Sequence, residues 1–159
     1  MKRKNFIIEY NEYLNKEELS KDDALLLEKA AKAAEGAYAP YSNFNVGAAL
    51  LLSNGEIITA NNQENAAYPS GLCAERVAIF YANAKYPHAS ILSLAVTASV
   101  NGKPCKTPTY PCGACRQVMA ESEQRAGVPI RIIVAGEKVT QVVESTKSLL
   151  PFVFNTLPK

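Results

Sequence analysis

Histidine is almost absent from this chain. The one copy, His88, sits in the turn Tyr86-Pro87-His88 and reads as a surface side chain. No apolar run approaches the roughly 20 residues that a membrane-spanning helix needs. The basic start Met1-Lys2-Arg3-Lys4 is followed only by Phe6-Ile7-Ile8 before Glu9 interrupts, so no secretory apolar stretch is present. A net charge of +2 is too close to neutral for a nucleic-acid surface. Internal repeats and low-complexity tracts are missing too. These absences predict a cytoplasmic protein that partners neither membrane nor nucleic acid.

What remains is ordinary in bulk and unusual in one pattern. With 159 residues, 48% hydrophobic and 20% charged, the chain is long enough to bury a core as one domain. Without a secretory segment its four cysteines are expected to be reduced thiols and metal ligands rather than disulfides. They fall in a split arrangement: Cys73-Ala74-Glu75 upstream, Pro111-Cys112-Gly113-Ala114-Cys115 downstream. Cys105 lies outside both motifs and reads as a spare structural thiol. A lone C-x-x-C pair is also compatible with redox chemistry or half of a structural zinc ribbon, but no second such pair exists. Three thiolates can hold one Zn²⁺ and leave the fourth tetrahedral position open to water, which points to catalysis.

The pattern of apolar residues places these motifs on helix starts. Ser20 followed by Asp23 reads as an N-cap, with Leu27, Ala30, Ala31 and Ala34 at helical spacing and Gly36 at the C′ position. Ala39 to Asn43 is a loop. The runs at 46–52 and 57–59 flank Asn54-Gly55, a hairpin signal. Residues 73–84 read as a helix with Val77, Phe80 and Tyr81 on one face, and 91–98 as a buried strand. Residues 112–124 form a further helix with Val118 and Met119 towards the core, followed by strands at 130–134 and 139–143. This order predicts an α/β fold: a three-layer α/β/α sandwich around a mixed, mainly five-stranded sheet. Residues 1–20 read as an N-terminal extension and 21–159 as a single catalytic domain. The tail around Leu149-Leu150-Pro151-Phe152-Val153-Phe154 is apolar enough to dock on its own chain or a neighbour.

Helix N-termini carry unpaired N–H groups and partial positive charge, which favour thiolates at Cys73, Cys112 and Cys115. Three thiolates and Zn²⁺ sum to a net −1, which blunts the acidity of the metal. Arg76 and Arg116 stand where the helix dipole disfavours cations. They make sense as donors to the sulfurs, with a solvent-facing arginine as the alternative at each position, a weaker one at Arg76 than at Arg116. Glu75 in a first helical turn could serve the dipole alone; beside a three-cysteine site it is the simplest acceptor for the proton of a metal-activated water.

Together, Cys73-Ala74-Glu75-Arg76 and Pro111-Cys112-Gly113-Ala114-Cys115-Arg116-Gln117 resemble the zinc-dependent cytidine deaminases of the small, three-cysteine, homotetrameric type. The likeness extends through Tyr38-Ala39-Pro40-Tyr41-Ser42-Asn43-Phe44, Val46 to Leu50, Asn62-Gln63-Glu64-Asn65-Ala66 and the Leu149-Leu150-Pro151 tail with Phe154. It implies one Zn²⁺ per subunit on Cys73, Cys112 and Cys115, with Glu75 as proton shuttle. It also implies Asn62 and Glu64 on the ribose hydroxyls, Phe44 beside the pyrimidine, and backbone groups near Ala74 and Tyr110 on the base edge. Tyr68 and Phe154 would reach a neighbouring subunit's site. The implied reaction is hydrolysis of cytidine and deoxycytidine to uridine and deoxyuridine plus ammonia, in pyrimidine salvage. Tyr110 departs from the family pattern, in which a small residue is usual, and Phe152 adds a second tail aromatic. A deaminase of another aminopyrimidine nucleoside such as blasticidin S, a polynucleotide deaminase and a zinc-stabilised interaction module are the competing readings.

Overall fold

A computed structural model describes residues 1–156, so the last three positions of the expected 21–159 domain lie outside the described residues. The strands are β1 (Asn11–Tyr13), β2 (Phe44–Leu52), β3 (Ile57–Asn61), β4 (Ile91–Val100), β5 (Lys103–Pro104), β6 (Arg131–Ala135) and β7 (Thr140–Val143). The helices are α1 (Lys21–Ala34), α2 (Ala74–Lys85) and α3 (Gly113–Ala126). The strands form one sheet in the order β1-β7-β6-β4-β2-β3, with β5 paired to β4. Only β4 and β6 run parallel; the other pairs are antiparallel.

Period-two alternation sorts the strand residues into two cores. Leu50, Leu52, Leu94, Val96, Ile132 and Val143 face α2 and α3, which contribute Ala74, Ala78, Ile79, Ala82 and Met119. Ala49, Ala95, Ile133 and Val142 face the other way and bury Leu26, Leu27 and Ala30 of α1. The expected three layers are therefore present. The five strands expected from apolar runs are β2, β3, β4, β6 and β7. The sheet has seven because two short strands, β1 and β5, join by backbone pairing alone. β1 comes from the expected N-terminal extension, and Leu19 from the same stretch is buried under α1.

Several local expectations hold in detail. Ser20 caps α1 by accepting from the Asp23 N–H at 3.1 Å. Gly55 closes the β2–β3 hairpin with φ of 84°. Gly36 does follow α1, but it lacks positive φ; an added Cβ there would meet Asn61 Nδ2 at 3.0 Å, the amide that donates to Ala33 O. The core face of α2 is Ala74, Glu75, Ala78, Ile79 and Ala82, and the shared face of Val77, Phe80 and Tyr81 is the outer one, with both rings half exposed. Alanines pack this helix close to the sheet and leave no depth for rings.

Close approach also explains Gly47. It lies on β2 directly under α1, where a Cβ would overlap the Ala30 carbonyl and sit 2.6 Å from Ala34 N. Gly47→Ala is expected to push α1 off the sheet and cost about 3 kcal/mol, the upper range for overpacking a backbone contact. Urea unfolding of the zinc-loaded protein measures this; an unchanged midpoint would contradict it.

Candidate active site

One end of the sheet gathers the chain segments that matter. β4 ends where Val100 pairs with Phe44 at the start of β2, and β3 ends where Asn61 pairs with Gly47. Beyond β3 a small ladder continues: Tyr38 bridges Gln63, and Gln63 bridges Leu72 through N–H to carbonyl bonds of 2.9 Å in both directions. That ladder sets residues 62–64 beside Cys73. The parallel β4–β6 pair requires a crossover, supplied by α3, whose first turn returns to the same end.

Cys73 is the N-cap of α2 and Cys112 the N-cap of α3, with Cys115 in the first turn of α3. Cys73 Sγ lies 3.8 Å from Cys112 Sγ, which lies 3.5 Å from Cys115 Sγ, and all three sulfurs fall within 4.8 Å of one another. A tetrahedral ion with Zn–S bonds of about 2.3 Å needs sulfurs about 3.8 Å apart, so this donor set fits zinc in chemistry and spacing. A hydrogen bond from the Cys115 thiol pulls Cys73 down to about 5, with help from Arg76, while the same bond and burial push Cys115 up.

Glu75 is the buried acid of the site, 4% exposed, yet its side chain forms part of the cavity wall. Burial, followed by the negative charge at Cys73, raises its pKa above the usual carboxylate range. A carboxyl held in that state can both take and return a proton near neutrality.

The two arginines behave differently. Arg76 Nη2 lies 3.8 Å from Cys73 Sγ, and its Nε is buried without a partner among the described residues. Arg116 does not make the expected sulfur bonds among the described contacts. Its Nε donates to Pro111 O at 2.8 Å and its Nη1 to Leu149 O at 2.9 Å. One carbonyl just before the helix start and one from the C-terminal tail occupy its donors instead. Its effect on the cluster is to clamp the loop before Cys112 to the start of the tail.

The cavity beside the sulfurs has a volume of about 760 Å³ and is lined by Phe44, Asn62, Glu64, Tyr68, Cys73, Glu75, Tyr110 and Cys112, among others. Asn62 Oδ1 accepts from Val46 N at 2.8 Å and its Nδ2 donates to Phe44 O at 2.9 Å. Each end of the amide keeps one unused hydrogen-bonding site. Glu64 accepts from Tyr41 N at 2.9 Å, from Ser42 N at 3.3 Å and from the Ser42 hydroxyl. Those bonds, the Ser42 hydroxyl foremost, hold its pKa below the usual value. Ala74 is wholly buried in the core beneath the site, and its side chain is not part of the cavity wall. Tyr68 is exposed at the cavity rim, edge-to-face with Tyr41 at 6.0 Å. Phe154 is not in this wall; its carbonyl accepts from Gln117 Nε2 at 2.6 Å and its ring is exposed.

Sequence reasoning missed Ser42 as the brace of Glu64. A serine in a polar loop carries no signal until the ladder at Tyr38 brings it to Glu64. It also missed Gln141, which accepts from the Tyr110 hydroxyl at 2.7 Å.

A buried carboxyl facing a three-sulfur metal centre is equipped for metal-assisted hydrolysis. Sequence likeness narrows that class. The family described as the cytidine and deoxycytidylate deaminase zinc-binding region matches residues 20–129. Cytidine deaminase from Halalkalibacterium halodurans is 48% identical over 100 residues, which is 63% of this chain and 71% of that protein. Probable cytidine deaminase from Dictyostelium discoideum is 32% identical over 142 residues, 89% of this chain and 87% of that one. The crystal structure of cytidine deaminase from Burkholderia pseudomallei superposes with a TM-score of 0.72 at 37% identity, covering 86% of this chain and all of that one. The Mycobacterium tuberculosis cytidine deaminase structure gives a TM-score of 0.67 at 32% identity, covering 86% of this chain and 100% of that chain. The chain belongs to the cytidine and deoxycytidylate deaminase family.

Since Arg76 is the only side-chain cation bonded to a cluster sulfur among the described contacts, Arg76→Gln should loosen zinc by roughly 10- to 100-fold. Competition with a chromophoric chelator reads this directly; unaltered retention would show that the guanidinium does not steady Cys73.

Proposed function

We propose that the chain hydrolyses cytidine and deoxycytidine to uridine and deoxyuridine, releasing ammonia, in pyrimidine salvage. The observation that carries this reading is the buried Glu75 carboxyl in the wall of a nucleoside-sized cavity, beside three convergent cysteine sulfurs. Cys73, Cys112 and Cys115 would hold the zinc, which supplies Lewis-acid activation of a water molecule. Glu75 accepts the proton of the attacking water as it adds to C4 of cytosine. The same carboxyl passes that proton to N3, then takes the proton of the new C4 hydroxyl and delivers it to the amine as the C4–N bond breaks and the C4 carbonyl forms, and its raised pKa suits both directions of transfer.

Substrate binding follows from the groups that remain free. Asn62 and Glu64 grip the ribose hydroxyls, the first with its spare donor and acceptor, the second with lone pairs left after Tyr41 and Ser42 are bonded. Phe44 flanks the pyrimidine ring, and main-chain groups around Ala74 and Tyr110 meet its edge. Arg76 offsets the charge of the thiolates. We assign Tyr68 and Phe154 to contacts with a neighbouring subunit's substrate in a cytoplasmic homotetramer. Their exposure of 77% and 66%, with half-exposed Phe80 and Tyr81 on α2 itself, supports a covered rather than free surface. Among the described residues no helix is long and apolar enough to cross a membrane.

Glu75→Gln is expected to keep one zinc per chain while cytidine turnover falls by roughly 10²- to 10⁴-fold. Zinc determination and the loss of cytidine absorbance check both halves. Turnover like that of the parent in the zinc-loaded variant would remove Glu75 from the proton path. A rate comparison of cytidine, deoxycytidine and blasticidin S sets the substrate class, and faster turnover of blasticidin S would overturn the cytidine assignment.

A further inference from the structure

The family match begins at residue 20 and ends at residue 129, yet a hydrogen-bonded path runs from outside it on both sides into the cavity. β1 pairs with β7 so that Glu12 stands directly across from Gln141. Gln141 Nε2 donates to Glu12 Oε2 at 2.6 Å, and Gln141 Oε1 accepts from the Tyr110 hydroxyl at 2.7 Å. Tyr110 is in the cavity wall, two residues before Cys112. The strand pleat accounts for the direction of this path. Gln141 shares a face with Val143, which packs in the α2/α3 layer, and that is the side on which the loop leading to α3 lies.

The arrangement uses each group fully in one sense. The amide of Gln141 has its oxygen on the phenol and its nitrogen on the carboxylate, so the carboxylate fixes which way the amide faces. A flipped amide would set a donor against the phenol and oxygen against oxygen at Glu12. With the amide fixed, the phenol has one preferred acceptor, and the ring is held at the metal end of the cavity. Under the proposed function that end receives the pyrimidine, because the atom attacked must lie beside the cysteine cluster.

We propose that β1 is a working part of the substrate site: Tyr110 contacts the bound base, and Glu12 and Gln141 are positioning residues that set its ring. This rests on the nucleoside reading of the cavity. It makes the stretch ahead of the family match a determinant of substrate affinity, with no direct contact between Glu12 and the substrate.

The test uses the full-length, zinc-loaded protein and steady-state kinetics with cytidine, with calorimetric binding of uridine as an independent readout. Tyr110→Phe and Glu12→Ala should each raise KM and weaken uridine binding by roughly three- to tenfold, the value of one hydrogen bond, with kcat changed much less. The double variant should be no worse than the poorer single, since both act through the same phenol. Glu12→Gln retains an acceptor for Gln141 and should restore parental values, which a loss of β1 folding could not explain. Additive effects in the double variant, or a parental KM in Glu12→Ala, would overturn the proposal while leaving the deaminase reading intact. A zinc-loaded parent that neither turns over cytidine nor binds uridine would overturn both.

Discussion

Two helices that are far apart in sequence must begin within bonding distance of the same ion, and the packing that achieves this organises the rest of the molecule. α2 contributes alanines at 74, 78 and 82, which let it lie close to the sheet, and α3 sets Met119 against the same core. The parallel β4–β6 pair obliges α3 to cross back over that face and start at the end where β4 finishes. On the opposite face Gly47 admits the backbone of α1, which keeps β2 and the Phe44 end of the cavity in line. Displace either helix start and the three sulfurs no longer meet.

Electrostatics then determines what the cluster can do. Three thiolates over-donate to a divalent ion, and the protein answers with two helix dipoles and the Arg76 guanidinium. Arg116, which appears equivalent in sequence, instead ties Pro111 to Leu149 and so supports the geometry through the backbone. Burial of Glu75 has the opposite sense to the burial of a structural carboxylate. Among the described residues it has no ion pair to hold it ionised, and its raised pKa suits the proton transfer proposed for it.

Most of the architecture was legible in the sequence because it depends on local periodicity. The five principal strands, the Asn54-Gly55 turn, the Ser20 cap and both helix starts at cysteine follow from residue patterns that the structure reproduces. Edge pairing was not legible. Three residues of β1 and two of β5 join the sheet through backbone bonds that leave no apolar signature. The shared face of Val77, Phe80 and Tyr81 was legible, but not which way it points: a tightly packed helix buries alanine and turns Phe80 and Tyr81 outward. Long-range polar partnerships such as Glu64 with Ser42 and Tyr110 with Gln141 depend on tertiary placement, which no spacing rule encodes.

All of this turns on a centre with three sulfur ligands and one open position. X-ray absorption at the zinc edge of the loaded protein measures that coordination directly. The expected spectrum fits three sulfurs at about 2.3 Å and one light oxygen atom in a four-coordinate shell. Four sulfurs, with Cys105 drawn in as the last ligand, would make the site a closed structural one and contradict the catalytic reading.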